Sequence, residues 1–164
     1  MVDQNIEYGY LNLLRLILDK GNKVADRTGT GTMSICGAQL RHELSIGFPL
    51  LTTKKVFWRG VVEELLWMLR GETNVKSLQE KGIKIWDSWA DKDGELGPVY
   101  GKMWRDFPDK HLNKSGVMQL GVDQIQTVIN RITNDPNCRR LIVSAWHPGY
   151  VDEMKLPPCH CFFQ

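Results

Sequence analysis

The sequence predicts a single α+β unit spanning residues 1–164. Three observations carry that expectation. Apolar residues recur at helical steps in three separate stretches, other stretches alternate or run extended as strands do, and no repeat, low-complexity segment or linker divides the chain.

Ile6, Tyr10, Leu13, Leu14, Ile17 and Leu18 fall on one face of a first helix, and Gly21 stands where a left-handed residue would stop it. The polar run Asp26-Arg27-Thr28-Gly29-Thr30-Gly31-Thr32 reads as a loop, and Met33 to Leu44, with little helical period, as a strand. Thr52 to Arg70 is the second helix, ended by Gly71. Its apolar residues cover more than one face, the pattern of a buried helix. Glu63 and Glu64 stand out there, because an ionised carboxylate on such a helix needs a partner or a polar cavity.

Asn74 to Lys81 suits a short helix capped by Asn74 and closed by Gly82. Ile83 to Arg105 reads as loop and carries Trp86, Trp89, Tyr100 and Trp104. Val122 to Thr133 is the third helix of regular period, stopped before Pro136. Arg139 to Trp146 alternates as a strand does, and Cys159 to Gln164 begins another. The chain is therefore expected to break off inside a strand, which is an odd natural terminus.

A net charge of +2 and no basic run longer than Lys54-Lys55 or Arg139-Arg140 give no support for a nucleic-acid-binding surface. The first twenty residues lack a signal-peptide pattern, and no apolar stretch approaches the ~20 residues of a membrane helix. Cys36, Cys138, Cys159 and Cys161, with no export signal, are expected as free thiols in a reducing cytoplasm. Cytoplasmic and soluble is the expected class.

Several residues could carry chemistry. Cys159-His160-Cys161 lacks zinc-clip spacing and a second ligand pair, so no metal is expected. Cys159 follows Pro157-Pro158, where the chain is stiff, and is either an inert buried cysteine or a nucleophile. Arg139 and Arg140 suit a phosphate or carboxylate through paired guanidinium hydrogen bonds, or simply flank a strand. Arg27 in the Thr-Gly loop could hold phosphate, although the loop matches no nucleotide-binding fingerprint. Glu64 is either a structural carboxylate or a tuned acid/base, and Trp86 and Trp89 either core rings or a stacking wall for a flat ligand.

Taken together, seven blocks resemble thymidylate synthase: Asp26 to Thr32, Gly47-Phe48-Pro49 with Thr52-Thr53-Lys54, Glu64-Leu65-Leu66-Trp67, Gly97-Pro98-Val99-Tyr100-Gly101, Arg139-Arg140, Ser144-Ala145-Trp146 and Leu156-Pro157-Pro158-Cys159-His160. They follow that family's order and spacing across essentially the whole chain. The resemblance implies a three-layer α/β sandwich and reductive methylation of dUMP to dTMP by 5,10-methylenetetrahydrofolate, without a metal. Cys159 would add to C6 of the pyrimidine, making C5 an enolate carbon able to attack the folate's methylene group. Glu64 would organise water and proton transfer, Tyr100 would lie beside the reacting base, and Trp86 and Trp89 would line the folate and base site. Arg27 would grip the nucleotide phosphate, with Arg139 and Arg140 reaching it from the other subunit of a homodimer.

Phe57 stands where many members of the family have a histidine near the folate, and His147-Pro148 where an asparagine is common. Beyond the cysteine strand, members continue with a Gln-Arg-Ser segment, a folate-binding aspartate, a uracil-reading asparagine and a His-x-Tyr pair. None of these follows here, so the resemblance implies the N-terminal portion of the domain and no turnover by this chain alone. The competing expectations are a dUMP or dCMP hydroxymethylase of the same family, and a non-catalytic fragment that pairs with an intact subunit.

Overall fold

A computed structural model describes residues 6–26, 29–112 and 115–164. It divides the chain into two units, Met1–Val56 and Phe57–Gln164.

In the first unit, helix α1 (Ile6–Lys20) runs into strand β1 (Asn22–Val24), which pairs antiparallel with β2 (Thr32–Ser34). Gly21 does end α1, but without the expected left-handed conformation. Its amide donates to the Ile17 carbonyl at 2.8 Å, and a Cβ there would collide with that same oxygen. Glycine is thus required by close approach and not by φ. The strand expected over Met33 to Leu44 shrinks to Thr32–Ser34, since Gly37 takes a φ of +74° and Leu44–Ile46 forms a 3-10 turn. The Glu7 carboxylate closes the unit by accepting from the Thr52 and Thr53 amides, both at 2.6 Å, and from the Thr52 hydroxyl. The Thr52 hydroxyl and these amides hold the Glu7 carboxyl below its ordinary range.

In the second unit, α2 spans Trp58–Leu69, α3 Lys76–Glu80, α4 Tyr100–Arg105 and α5 Gln124–Asn134. Strands β3 (Phe107–Leu112) and β4 (Met118–Val122) form one antiparallel pair, and β5 (Val143–Ser144) and β6 (Phe162–Phe163) another. The described residues are therefore α+β, with three two-stranded sheets. Trp67, Leu78, Ile83, Leu96, Val99 and Met103 are among the fully buried side chains at the centre of this unit.

Several local expectations change here. Helix α2 starts at Trp58, six residues later than its apolar run suggested, and it is not buried all round. It packs on α3 and α4, and Gly60, Trp67 and Met68 are its buried residues, while Leu65 stays 48% exposed. Apolar periodicity marks surface that favours burial, but it does not supply the element that would cover it. Within the stretch expected as loop, α4 forms where Gly101 lets the helix approach the Glu72 backbone, because a Cβ there would strike the Glu72 carbonyl. The β3–β4 pair was not anticipated, since Pro108 interrupts β3 and its register slips between Pro108 and His111. Gly71 and Gly82 end their helices with φ of +80° and +72°, as expected.

The N-cap of α3 is Val75 and not the expected Asn74, which stands one residue earlier and ties the helix start to the 93–95 segment. Asn74 Oδ1 accepts from the Lys76 amide at 3.0 Å, and its Nδ2 donates to Glu95 Oε1 at 2.6 Å. Helix α5 begins at Asp123, whose carboxylate accepts from the Gln126 amide at 2.9 Å. The strand expected from Arg139 to Trp146 is reduced to Val143–Ser144, paired with Phe163 and Phe162.

Candidate active site

The site is organised around Tyr100, the first residue of α4, which is only 4% exposed. Its ring lies in a row of aromatic rings: Trp67 to Trp86 at 6.2 Å, Trp86 to Tyr100 at 6.4 Å, and Tyr100 to Trp104 at 6.0 Å between centroids. Offset and edge contacts of this kind let each ring fix the next. The Tyr100 hydroxyl accepts a hydrogen bond from the Cys159 amide at 2.6 Å. Burial pushes the Tyr100 hydroxyl above its ordinary range, against the lowering effect of the Cys159 and His160 amides.

Glu64, one turn before Met68 on α2, receives the partner that its position demanded. Trp86 Nε1 donates to Glu64 Oε1 at 2.7 Å. Desolvation nonetheless dominates and raises the Glu64 carboxyl above its ordinary value, the Trp86 hydrogen bond and the His160 charge acting in the opposite direction. A carboxyl perturbed by burial and a specific partner, at the edge of a cleft, is a candidate acid/base group. The cleft has a volume of about 430 Å³ and is lined by Glu64, Leu65, Met68, Trp104, His160 and Phe163, among others.

Cys159 itself is exposed. The next residue, His160, stacks on Tyr100 at 4.4 Å with an interplanar angle of 27°, and lies 6.1 Å from Trp104. Cys159, Tyr100, Glu64 and Trp86 are thus linked by contacts within one unit. Trp89 is half-buried beside them, packed against the core with its amide donating to the Trp86 carbonyl at 3.0 Å.

The remaining site expectations lie apart from this group. Arg139 and Arg140 are exposed on the turn after α5 and border a hollow of about 470 Å³ with Asp135, Asn137 and Cys138. Arg131 Nη1 donates to the Arg140 carbonyl at 2.8 Å and steadies that turn. Among the described residues, no hydrogen bond or ion pair joins either arginine to Cys159, Glu64 or Tyr100. Phe57, 54% exposed, sits at the start of α2 with its ring over Gly60. Arg27 lies outside the described residues.

Three contributors were not singled out for these roles in the sequence. His160, considered only as a metal ligand, is a stacking partner of Tyr100. Gln124 joins α4 to β5, its Nε2 donating to the carbonyls of Met103 (2.7 Å) and Ser144 (2.8 Å) while its Oε1 accepts from the Ser144 amide (3.0 Å). Trp146 Nε1 donates to the Pro158 carbonyl at 3.1 Å. In the sequence His160 stands next to Cys159 and Trp146 lies within the Ser144-Ala145-Trp146 block, whereas no signal marks Gln124. His147, unexplained in the sequence, caps its own turn: Nδ1 accepts from the Gly149 amide at 3.1 Å, and the ring packs on Phe107 and Tyr150.

A thiol-bearing segment, a phenol and a carboxyl raised by burial, linked by direct contacts, are group types that nucleophilic catalysis on an unsaturated ring can use. Among the described residues, no cluster of side chains could hold a metal ion, and no helix is long and apolar enough to cross a membrane. The thymidylate synthase family model matches residues 8–164, and the chain belongs to that family of enzymes.

Proposed function

We propose that the chain acts in the reductive methylation of dUMP to dTMP, with 5,10-methylenetetrahydrofolate as the one-carbon donor. The observation that carries this reading is the chain of contacts that joins Cys159 to Tyr100, Tyr100 to Trp86 and Trp86 to Glu64, with Glu64 and His160 on the wall of the cleft. Cys159 Sγ adds to C6 of the pyrimidine, and the ring electrons shift toward the C4 oxygen, leaving C5 nucleophilic. The Tyr100 hydroxyl accepts from the Cys159 amide, and this closeness to the nucleophile supports assigning it a place beside the reacting base. Glu64, its carboxyl raised above the ordinary value by burial and oriented by the Trp86 indole, moves protons to and from the base through water.

The folate fits the residues present. Val61, Leu65 and Leu69 give the cleft an apolar wall, and the buried Trp104 indole N–H has no partner among the described residues. When bound, the folate supplies the carbon unit and the hydride. Trp86, Trp89 and Phe57 are the side chains we assign to its neighbourhood. Arg27, Arg139 and Arg140 hold the phosphate, with the exposed pair serving the partner's site in a homodimer. The α+β units belong to a three-layer α/β sandwich.

The test is alkylation of the purified chain with iodoacetamide, resolved cysteine by cysteine by mass spectrometry. We expect dUMP to slow modification of Cys159 and to leave the exposed Cys36 unchanged. Equal rates at Cys159 with and without saturating dUMP would remove the proposal. The readout does not depend on turnover.

A further inference from the structure

We infer that Trp146 is a positioning residue for the nucleophile, its indole and the Tyr100 hydroxyl gripping the two ends of the Pro158–Cys159 peptide. The inference rests on the reading of Cys159 as the nucleophile. The peptide's carbonyl accepts from Trp146 Nε1 at 3.1 Å, and its N–H donates to Tyr100 at 2.6 Å. A peptide group is planar, so holding its oxygen and its nitrogen from opposite sides fixes the plane.

The approach to that plane is already stiff. The rings of Pro157 and Pro158 set φ near about −65° at both positions, and a residue before proline is confined to extended backbone. With the plane fixed as well, the position of the Cys159 Cα is set, and rotation about N–Cα (φ) and χ1 are the freedoms left between that plane and the thiol. Neither proline has an N–H, so Cys159 is the first residue of this run whose amide can be held at all.

Trp146 is itself held by a circuit that starts and ends on α4. Gln124 bonds the Met103 carbonyl and both backbone groups of Ser144. Ser144 Oγ accepts from the Trp146 amide at 3.3 Å and donates to its carbonyl at 3.2 Å. The indole then reaches Pro158, and Cys159 returns the circuit to Tyr100. At the far side of the same loop, the Lys155 amide donates to the Leu96 carbonyl at 2.9 Å and Met154 is buried. Cooperative polarisation links the two grips, since a carbonyl that accepts a hydrogen bond makes the N–H of its own peptide a better donor.

The experiment uses the 164-residue chain labelled with ¹⁵N. In the unsubstituted chain, the Trp146 indole N–H and the Cys159 amide should both be protected from exchange. Trp146→Phe keeps the ring and removes the donor. We expect exchange of the Cys159 amide to rise at least ~5-fold, the loss of one net hydrogen bond, with its proton resonance moving upfield and the Met103 amide unmoved. In a Tyr100→Phe background, where that amide has no acceptor, the same substitution should change its exchange less than ~2-fold, whereas a merely structural role would give additive effects. An unmoved Cys159 amide in a folded Trp146→Phe chain overturns the inference. So does an unprotected Trp146 indole in the unsubstituted chain, a measurement that needs no variant to fold. Protection of Cys159 by dUMP, read by alkylation of the same unsubstituted sample, separates the two readings. Its absence is a failure of the nucleophile, while its presence with an unmoved amide is a failure of the clamp alone.

Discussion

Replacing Gln124 by leucine should loosen the second unit by a calculable amount. The side chain makes three hydrogen bonds, to Met103 O, Ser144 O and Ser144 N, at 2.7, 2.8 and 3.0 Å. Met103 lies in the last turn of α4, where carbonyls have no partner within the helix. Leucine fills similar volume but leaves those backbone groups bare. At about 1 kcal/mol net for each bond the loss is ~3 kcal/mol. For a cooperative unit of roughly 100 residues, at about 4 °C per kcal/mol, the melting temperature should fall by ~12 °C. Calorimetry on the chain and on Gln124→Leu measures this directly. A fall of less than ~4 °C would mean that water or a relaxed backbone replaces the amide, and that the circuit through Ser144 is not rigid.

Other expectations follow from the same contacts. Burial raises the Glu64 carboxyl above its ordinary 4.5, so the folded chain holds a proton there that the unfolded chain releases. The stability this confers is complete below that value and is lost as pH climbs through the raised one, so Glu64→Gln should melt with a flatter pH dependence above pH 4.5; parallel curves would count against the shift. Gly97 has a φ of +77° and faces the Glu153 carbonyl so closely that a Cβ would collide with it. Gly97→Ala should therefore cost on the order of 2–4 kcal/mol by urea denaturation, and a cost below ~1 would show that the 151–155 turn yields. Arg139→Ala and Arg140→Ala should each weaken dUMP protection of Cys159 at least ~10-fold, the loss of a charge-assisted hydrogen bond to phosphate. Unchanged dUMP titrations would place the phosphate elsewhere.

Legibility in the sequence followed the length of the signal. Helices α1 and α5 run fifteen and eleven residues with a clear apolar stripe, and their positions were readable within a few residues. Helix α4 is six residues long, too short for a period to emerge, and its Gly101 argues against helix until the close Glu72 backbone is seen. Strand β3 hides behind Pro108. The apolar run of α2 identified a helix but not which of its faces another element would cover.

The site divides in the same way. Cys159, Glu64, Tyr100 and Trp86 belong to residue types whose chemistry prompts attention, and the structure links them. Gln124 and Trp146 act through backbone carbonyls up to twenty-one residues distant, a relation that no local pattern encodes. His160 contributes the face of its ring, whereas sequence reasoning looked for its nitrogens.

The row from Trp67 through Trp86 and Tyr100 to Trp104 also has an optical consequence. Chromophores spaced 6.0–6.4 Å apart share their excited states, so the near-ultraviolet dichroism of the folded chain arises from the row as a whole. The Trp86 indole is bonded to Glu64, and gain or loss of a charge on that carboxyl shifts the colour and yield of its emission. The protein therefore carries a built-in light meter, by which events in the cleft can be followed in real time with no dye attached.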